Sequence, residues 1–228
     1  MYRTEFLPLL KFHLRICHRL KCIPFKYHEE SGCMKKFKST RVLQMFRLQC
    51  VLSVIYCVAM FLNISLGPLT TSGRLQGFGL FIACLGATMS RWNYSIDIGP
   101  MQIINAFLDF EAKVIESLPK MPISMGTKAI KIFIYLVEVV AFVYPILLFL
   151  LLRFVPCTPP FILSIFSTCR HVKSVWLRHG VGLGVHIFEA WMGCHIIYSG
   201  TTLIVYVLFV GISFVLNCFQ ILNRRKEI

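Results

Sequence analysis

The last apolar stretch of the chain carries residue types from which metal and acid–base sites are built, namely His186, Glu189, Cys194 and His195. Their spacings of 3, 5 and 1 do not place three ligands on one face of a helix, so we predict no metal site. The sequence also lacks the G-x-S-x-G, H-E-x-x-H and Walker A motifs and any paired-carboxylate arrangement. We therefore expect neither an enzyme nor a cofactor.

A lone carboxylate, Glu138, falls inside an apolar run that also contains Pro145. A carboxylate within a membrane is costly and is a functional candidate, although it can also reach back to the interface or bond a neighbouring helix. The proline predicts a kink. Cys157 and Cys169 share a predicted loop, and the sequence leaves open whether they form a disulfide.

Aromatic and polar residues gather at one end of the predicted membrane helices. Such a set suits a small organic ligand, but it also suits an aromatic belt at the membrane interface, and both interpretations stay open. The candidate ligand-binding residues are Phe78, Phe81, Tyr144, His186, Glu189, Trp191, His195 and Tyr198.

Composition indicates that a bilayer surrounds the elements that position these residues. The chain has 228 residues, of which 57% are hydrophobic and only 15% charged. Soluble domains carry about a quarter charged residues, so a membrane protein is predicted. The net charge of +14 is interpreted as membrane topology rather than as a nucleic-acid surface.

Apolar runs predict an all-α protein with four transmembrane helices, at about 48–66, 75–90, 132–152 and 196–222. The stretch 180–194 is either a fifth span or an outward extension of the fourth. With four spans and a cytoplasmic N-terminus, 19 Lys and Arg lie on the cytoplasmic side and five outside. The positive-inside rule therefore favours the extension and a cytoplasmic C-terminus. The predicted organisation is a basic segment 1–47, a membrane domain 48–222 and a basic tail 223–228.

Two amphipathic helices are predicted beside the spans. Lys11, Arg15 and Arg19 recur every four residues near the N-terminus, so this helix either lies on the membrane surface or packs against its own bundle. A second helix follows Pro100 in a cytoplasmic loop, and we expect it to pack under the bundle rather than bind a separate partner. Its predicted apolar stripe consists of Ile103, Phe107, Phe110, Val114 and Leu118.

Three short motifs carry a family resemblance. They are CIPF at 22–25, IINAFLDFE at 103–111 and EAW at 189–191. In this arrangement the chain resembles the N-terminal portion of the arthropod gustatory receptors, which are seven-transmembrane chemoreceptors.

The resemblance implies a multi-pass protein of the cell membrane that binds a small tastant or odorant in the outer half of its helix bundle. It implies a ligand-gated cation channel formed as a homo- or hetero-oligomer of receptor subunits in the lipid bilayer, with no nucleic-acid partner. The pore helix and the Thr-Tyr…Gln-Phe pattern of the family's seventh helix are absent, so a truncated receptor is expected. The alternative is a complete four-span accessory or scaffold protein without channel activity.

Overall fold

The computed structural model describes residues 5–67, 69–96, 99–115, 125–156, 158–165, 180–212 and 215. These residues are mostly helical, as predicted, and a β-hairpin interrupts the helices near the N-terminus. The basic tail 223–228, Leu118 and the cysteine pair Cys157 and Cys169 lie outside the described residues. In chain order the elements are α1 Leu7–Leu20, β1 Phe25–His28, β2 Cys33–Lys36, α2 Thr40–Leu66, α3 Thr71–Ile96, α4 Gly99–Ile115, α5 Met125–Phe154, a 3₁₀ helix Ile162–Ile165, α6 Gly182–Thr201 and a π-helical segment Thr202–Phe209.

Three of the described helices are long and apolar enough to cross a membrane: Thr40–Leu66, Met125–Phe154 and Gly182–Ile212. The shortest has 27 residues, or about 40 Å of α-helix, which exceeds a hydrocarbon core of about 30 Å. They contain or overlap the predicted first, third and fourth spans. The predicted second span lies within α3, which is helical but is not one of the three, so a fourth crossing stays a prediction.

The chain divides into two compact units, each built from separate stretches of sequence. The first unit comprises Met1–Phe46, Asn93–Val139 and Tyr198–Ile228. The second comprises Arg47–Trp92 and Val140–Ile197. The predicted organisation divided the chain into consecutive segments, whereas these units interleave along the sequence.

In the first unit, α1 packs through its apolar face, which settles the interpretation that the sequence left open. Leu10 and Cys17 are fully buried, while Arg15 and Arg19 are exposed on the other side of the helix. The helix ends at Leu20. The next residue, Lys21, has a left-handed φ of 56°, and its N–H donates to the Cys17 and His18 carbonyls.

The β-hairpin is a feature that the all-α prediction missed. Its strands pair antiparallel, with Phe25 opposite Lys36 and Lys26 opposite Lys35. Gly32 supplies a positive φ of 62° in the turn. The side chain of Asn105 on α4 accepts a hydrogen bond from the Met34 N–H at 2.6 Å and donates one to the Met34 carbonyl at 3.1 Å. A side-chain amide therefore takes the place of a third strand.

The buried face of α4 differs from the predicted stripe. Ile104 and Leu108 are buried, whereas Ile103 and Phe110 are about 40% exposed. Asn105 accounts for the difference, because its two bonds to β2 fix the rotation of the helix about its axis. Of the predicted stripe, Phe107 is half-buried and lies beside Gly211, where a Cβ would be 3.1 Å from its ring.

In the second unit, α2, α3 and α6 share an apolar core. Its buried members are Tyr56, Cys57, Met60, Phe81, Met192 and Ile196. Arg91 is also fully buried and donates to the Ser53 hydroxyl at 2.6 Å and to Gln49 Oε1 at 3.5 Å. The sequence treated Arg91 as a cytoplasmic loop cation, but the structure uses it as a polar link between α2 and α3.

Candidate functional site

Glu189 is the centre of the candidate site in the second unit. Its side chain is fully buried on α6, and Oε1 accepts the Ile162 N–H at 2.5 Å. The other oxygen, Oε2, is buried and makes no hydrogen bond to any described residue. A buried carboxylate oxygen without a hydrogen bond destabilises the folded protein, because it has lost its contacts with water and gained no partner in exchange.

Aromatic side chains from two other helices, α2 and α5, lie in the same unit as this carboxylate. The Tyr56 phenol, on α2, lies close enough to interact electrostatically with both Glu189 and Tyr144. Tyr144, on α5, packs beside the buried cluster of Leu148, Leu152 and Phe161. We call Tyr56, Tyr144, Glu189 and Trp191 the aromatic–carboxylate cluster.

Trp191 extends the cluster along α6. Its ring lies 4.4 Å from the His195 ring in an edge-on geometry and 6.0 Å from the Phe188 ring. Trp191 and Phe188 both pack against the apolar core that contains Phe81. The cluster therefore combines a large apolar surface with one polar group, the composition that small-molecule sites use.

A close helix approach positions Tyr144 in the cluster. A Cβ on Gly193 would lie 3.1 Å from Tyr144 Cε1 and 3.0 Å from Leu148 Cδ2, so only glycine fits without a shift. Across the unit, Asn63 Nδ2 donates to the Phe161 carbonyl at 3.1 Å and to Ser164 Oγ at 2.7 Å. These bonds fix the loop whose Ile162 N–H binds Glu189.

The structure brings most of the predicted ligand-binding residues into this unit, but not all into one cluster. Phe81, Tyr144, Glu189, Trp191 and His195 are buried or partly buried there. Two others differ: Phe78 is 51% exposed, and His186 is buried with no hydrogen bond from Nδ1 to a described residue. The last, Tyr198, belongs to the first unit. Sequence reasoning missed Tyr56, because one tyrosine within a long apolar span gives no signal.

A second buried polar group occupies the first unit, centred on His13 of α1. His13 Nδ1 lies 2.7 Å from Glu138 Oε1, and the side chains are 0% and 6% exposed. On the other side of the ring, Nε2 lies 2.8 Å from Thr202 Oγ1 and 3.1 Å from the Tyr198 carbonyl. The Tyr206 hydroxyl donates to Glu138 Oε1 at 2.8 Å. We call His13, Glu138, Thr202 and Tyr206 the His13 network.

The His13 ring joins α1 to α5, through Glu138, and to the end of α6, through Tyr198. Thr202 donates its own hydroxyl hydrogen to the Tyr198 carbonyl at 3.0 Å, and both nitrogens of the His13 ring lie near oxygen atoms, Nδ1 near Glu138 Oε1 and Nε2 near the Tyr198 carbonyl. For Glu138, the structure thus supports the interpretation that it bonds neighbouring helices.

A π-helix supplies two members of this network. Thr202 and Tyr206, four residues apart, both belong to the segment Thr202–Phe209 and both are fully buried. Wide helical turns are rare and occur often at functional sites. Cys17 borders the network, 3.9 Å from Thr202 Oγ1, and burial raises the pKa of its thiol well above the usual range.

Within the part of the chain that the structure describes, no three His, Cys, Asp or Glu side chains come together as a metal site. Comparisons give no relative: no protein-family model, no curated protein and no solved structure matches the chain.

Proposed function

We propose that this chain is a chemosensory membrane protein, similar to a gustatory receptor, whose aromatic–carboxylate cluster binds a small organic ligand. One observation carries the proposal: Glu189 is fully buried within an apolar helix, and its Oε2 is unsatisfied by any described residue. A ligand with a hydrogen-bond donor would satisfy that oxygen and offset the cost of burying the carboxylate.

The side chains around Glu189 suit the rest of such a ligand. Tyr56, Tyr144 and Trp191 offer ring faces and edges, on which an apolar or aromatic body stacks. In this site, most of the ligand's surface would contact aromatic side chains instead of water. Its donor group would form one hydrogen bond to Glu189. This favours compounds of modest size that have an apolar body and one donor group.

The proposal places the protein in the cell membrane as a multi-pass subunit. Three described helices are apolar enough to cross a bilayer, and we propose α3 as a fourth crossing, with both chain ends cytoplasmic. With the buried Arg91 left out, the distribution of 18 against five cations supports this orientation. In the assembled receptor, further subunits would complete a ligand-gated cation channel.

Ligand binding is tested with the full chain in lipid nanodiscs and a panel of phenethylamine, phenethyl alcohol, phenylacetate and sucrose. Tryptophan fluorescence reports binding, and Trp191→Phe identifies the signal of that ring. Glu189→Gln is expected to weaken the best binder about 10- to 100-fold, the loss of one hydrogen bond to a charged group. Glu30→Gln is the matched control, since that side chain is 91% exposed in the first unit.

Binding that is equally tight in Glu189→Gln and in wild type would contradict the proposed site. If no compound in the panel bound the wild-type protein, an accessory or scaffold function would be favoured instead. Topology is tested separately by a tag fused after residue 228: antibody labelling is expected only after the cells are permeabilised. Labelling of intact cells would contradict the four-crossing orientation.

A further inference from the structure

The β-hairpin has an exposed lysine pair that the ligand-binding proposal does not use. In the strand register, Lys26 of β1 stands directly opposite Lys35 of β2, and both side chains are exposed. Directly opposed residues of an antiparallel pair have Cβ atoms about 4.5–5.5 Å apart. The two lysine side chains therefore leave the same face of the hairpin from neighbouring positions.

This pairing is unfavourable unless an anion is present, because like charges directly opposite each other destabilise a sheet. The nearby acidic side chains are engaged elsewhere. Glu29 pairs with Lys11 at 2.7 Å, and Glu30 lies 3.9 Å from His28. Among the described residues, no ion pair involves Lys26 or Lys35.

The opposite face of the hairpin is fixed in the first unit, which holds the lysine pair in place. Phe25 and Met34 alternate with the two lysines and are 5% and 1% exposed. Asn105 bonds both backbone groups of Met34. Lys26 Nζ lies 5.9 Å from the Phe37 ring centroid, a contact that further restrains its side chain. The pair is thus presented outward by an anchored scaffold.

The hairpin is also close along the chain to the predicted first membrane span. β2 ends at Lys36 and α2 begins at Thr40, so three residues lie between them and the four Cα steps reach at most about 14 Å. The predicted apolar run begins at Leu48, eight residues or about 12 Å along α2. Three further exposed cations lie from the end of β2 to the start of α2: Lys36, Lys38 and Arg41. A cluster of cations immediately before a membrane helix is typical of contact with anionic lipid.

We propose that Lys26 and Lys35 together bind the phosphate of an anionic phospholipid headgroup at the cytoplasmic surface of the membrane. One phosphate between the two ammonium groups converts their repulsion into two charge-assisted hydrogen bonds. The site is independent of the aromatic–carboxylate cluster: the two lie in different units and involve different residues.

The test uses the full chain in neutral detergent micelles that contain a fluorescently labelled phosphatidylinositol 4-phosphate. The fluorescence anisotropy of the labelled lipid reports binding. Lys26→Gln/Lys35→Gln is expected to weaken binding about 30-fold, because each of the two cations near a lipid surface contributes about fivefold. The matched control, Lys36→Gln/Lys38→Gln, removes the same charge from residues that do not oppose another lysine. It is expected to weaken binding by less than the pair variant does.

A second measurement keeps the test decisive if binding is weak. Without anionic lipid, each single variant, Lys26→Gln or Lys35→Gln, is expected to unfold at a higher temperature than wild type because the repulsion is removed. Adding the lipid is expected to raise the midpoint of wild type by more than that of the double variant. Equal losses in the pair and control variants would overturn the paired site. Binding of soluble inositol 1,4-bisphosphate as tightly as the lipid would overturn the assignment to the membrane.

Discussion

The His13 network makes a quantitative prediction about what attaches α1 to the membrane helices. Replacing His13 with Leu removes the side chain whose Nδ1 lies 2.7 Å from Glu138 Oε1. Among the described residues, the Glu138 carboxylate, 6% exposed, then keeps one donor, the Tyr206 hydroxyl at 2.8 Å. Removing one partner of such a buried pair costs about 3–5 kcal/mol, because the group left behind stays buried and uncompensated.

The other contacts of His13 add little to this loss. Thr202 keeps its hydrogen bond to the Tyr198 carbonyl at 3.0 Å, so neither of these groups becomes unsatisfied. Glu138→Leu is expected to destabilise to a similar extent, because it leaves the buried His13 ring without its carboxylate. The double variant His13→Leu/Glu138→Leu removes both members of the pair, so neither is left buried without the other. The double variant is therefore expected to be more stable than either single variant.

Unfolding of the full chain by SDS in mixed micelles, followed by tryptophan fluorescence, measures these free energies. Lys131→Gln serves as the control, because Lys131 pairs with Glu5 at 2.8 Å while its side chain is 48% exposed. Exposed pairs contribute at most about 1 kcal/mol, so this variant is expected to stay close to wild type. A double variant whose loss equals the sum of the two single losses would refute the reasoning.

Three further predictions follow from individual contacts. Asn105→Ala is expected to destabilise the hairpin by about 1–3 kcal/mol, seen as faster amide hydrogen exchange in β2, because two backbone groups lose their partner. Gly193→Ala is expected to lower thermal stability, because the added Cβ would lie 3.1 Å from the Tyr144 ring. The control is Gly184→Ala on the same helix, where a Cβ meets nothing within 4 Å, and it is expected to stabilise the protein by about 0.5–1 kcal/mol. Iodoacetamide at pH 8 is expected to modify Cys33 much faster than Cys17, whose thiol is buried and has a raised pKa. The folded state keeps the Cys17 thiol protonated, whereas the unfolded chain loses that proton above its ordinary pKa of 9.0. The protein is therefore expected to lose stability as the pH rises above 9.0, and to show no such loss below it.

Each of these predictions has a contrary result. Unchanged exchange in β2 of Asn105→Ala would show that the amide bonds do not hold the hairpin. Equal effects of alanine at Gly193 and Gly184 would contradict the close approach of α6 to its neighbour. Rapid modification of Cys17 under native conditions would mean that α1 separates from its unit readily.

The sequence predicts the helices well because long apolar runs leave few alternatives. It does not predict the hairpin, although Phe25, Tyr27 and Met34 alternate with polar residues around a turn that contains Gly32. Such short strands give only a weak alternating pattern within a highly charged segment. The face of α4 was also misassigned, since hydrophobic periodicity cannot show that Asn105 bonds a strand 71 residues earlier in the chain.

The candidate sites depend even more on distant contacts. The sequence places Glu189 among the aromatic and polar residues at one end of the predicted spans, and the structure buries it in the second unit. Tyr56, His13 and Thr202 have no comparable signal in the sequence. His13 and Thr202 are 189 residues apart, so only the folded chain brings them together.

The amide of Asn105 has a consequence for how copies of this protein can associate. By occupying both backbone groups of Met34, it closes that edge of the hairpin to strand addition by a second chain. Oligomers must therefore avoid β-augmentation at this position. Helical surfaces such as the exposed apolar side of α5, where Leu136, Val140 and Leu147 are each more than half exposed, offer the larger area for subunit packing.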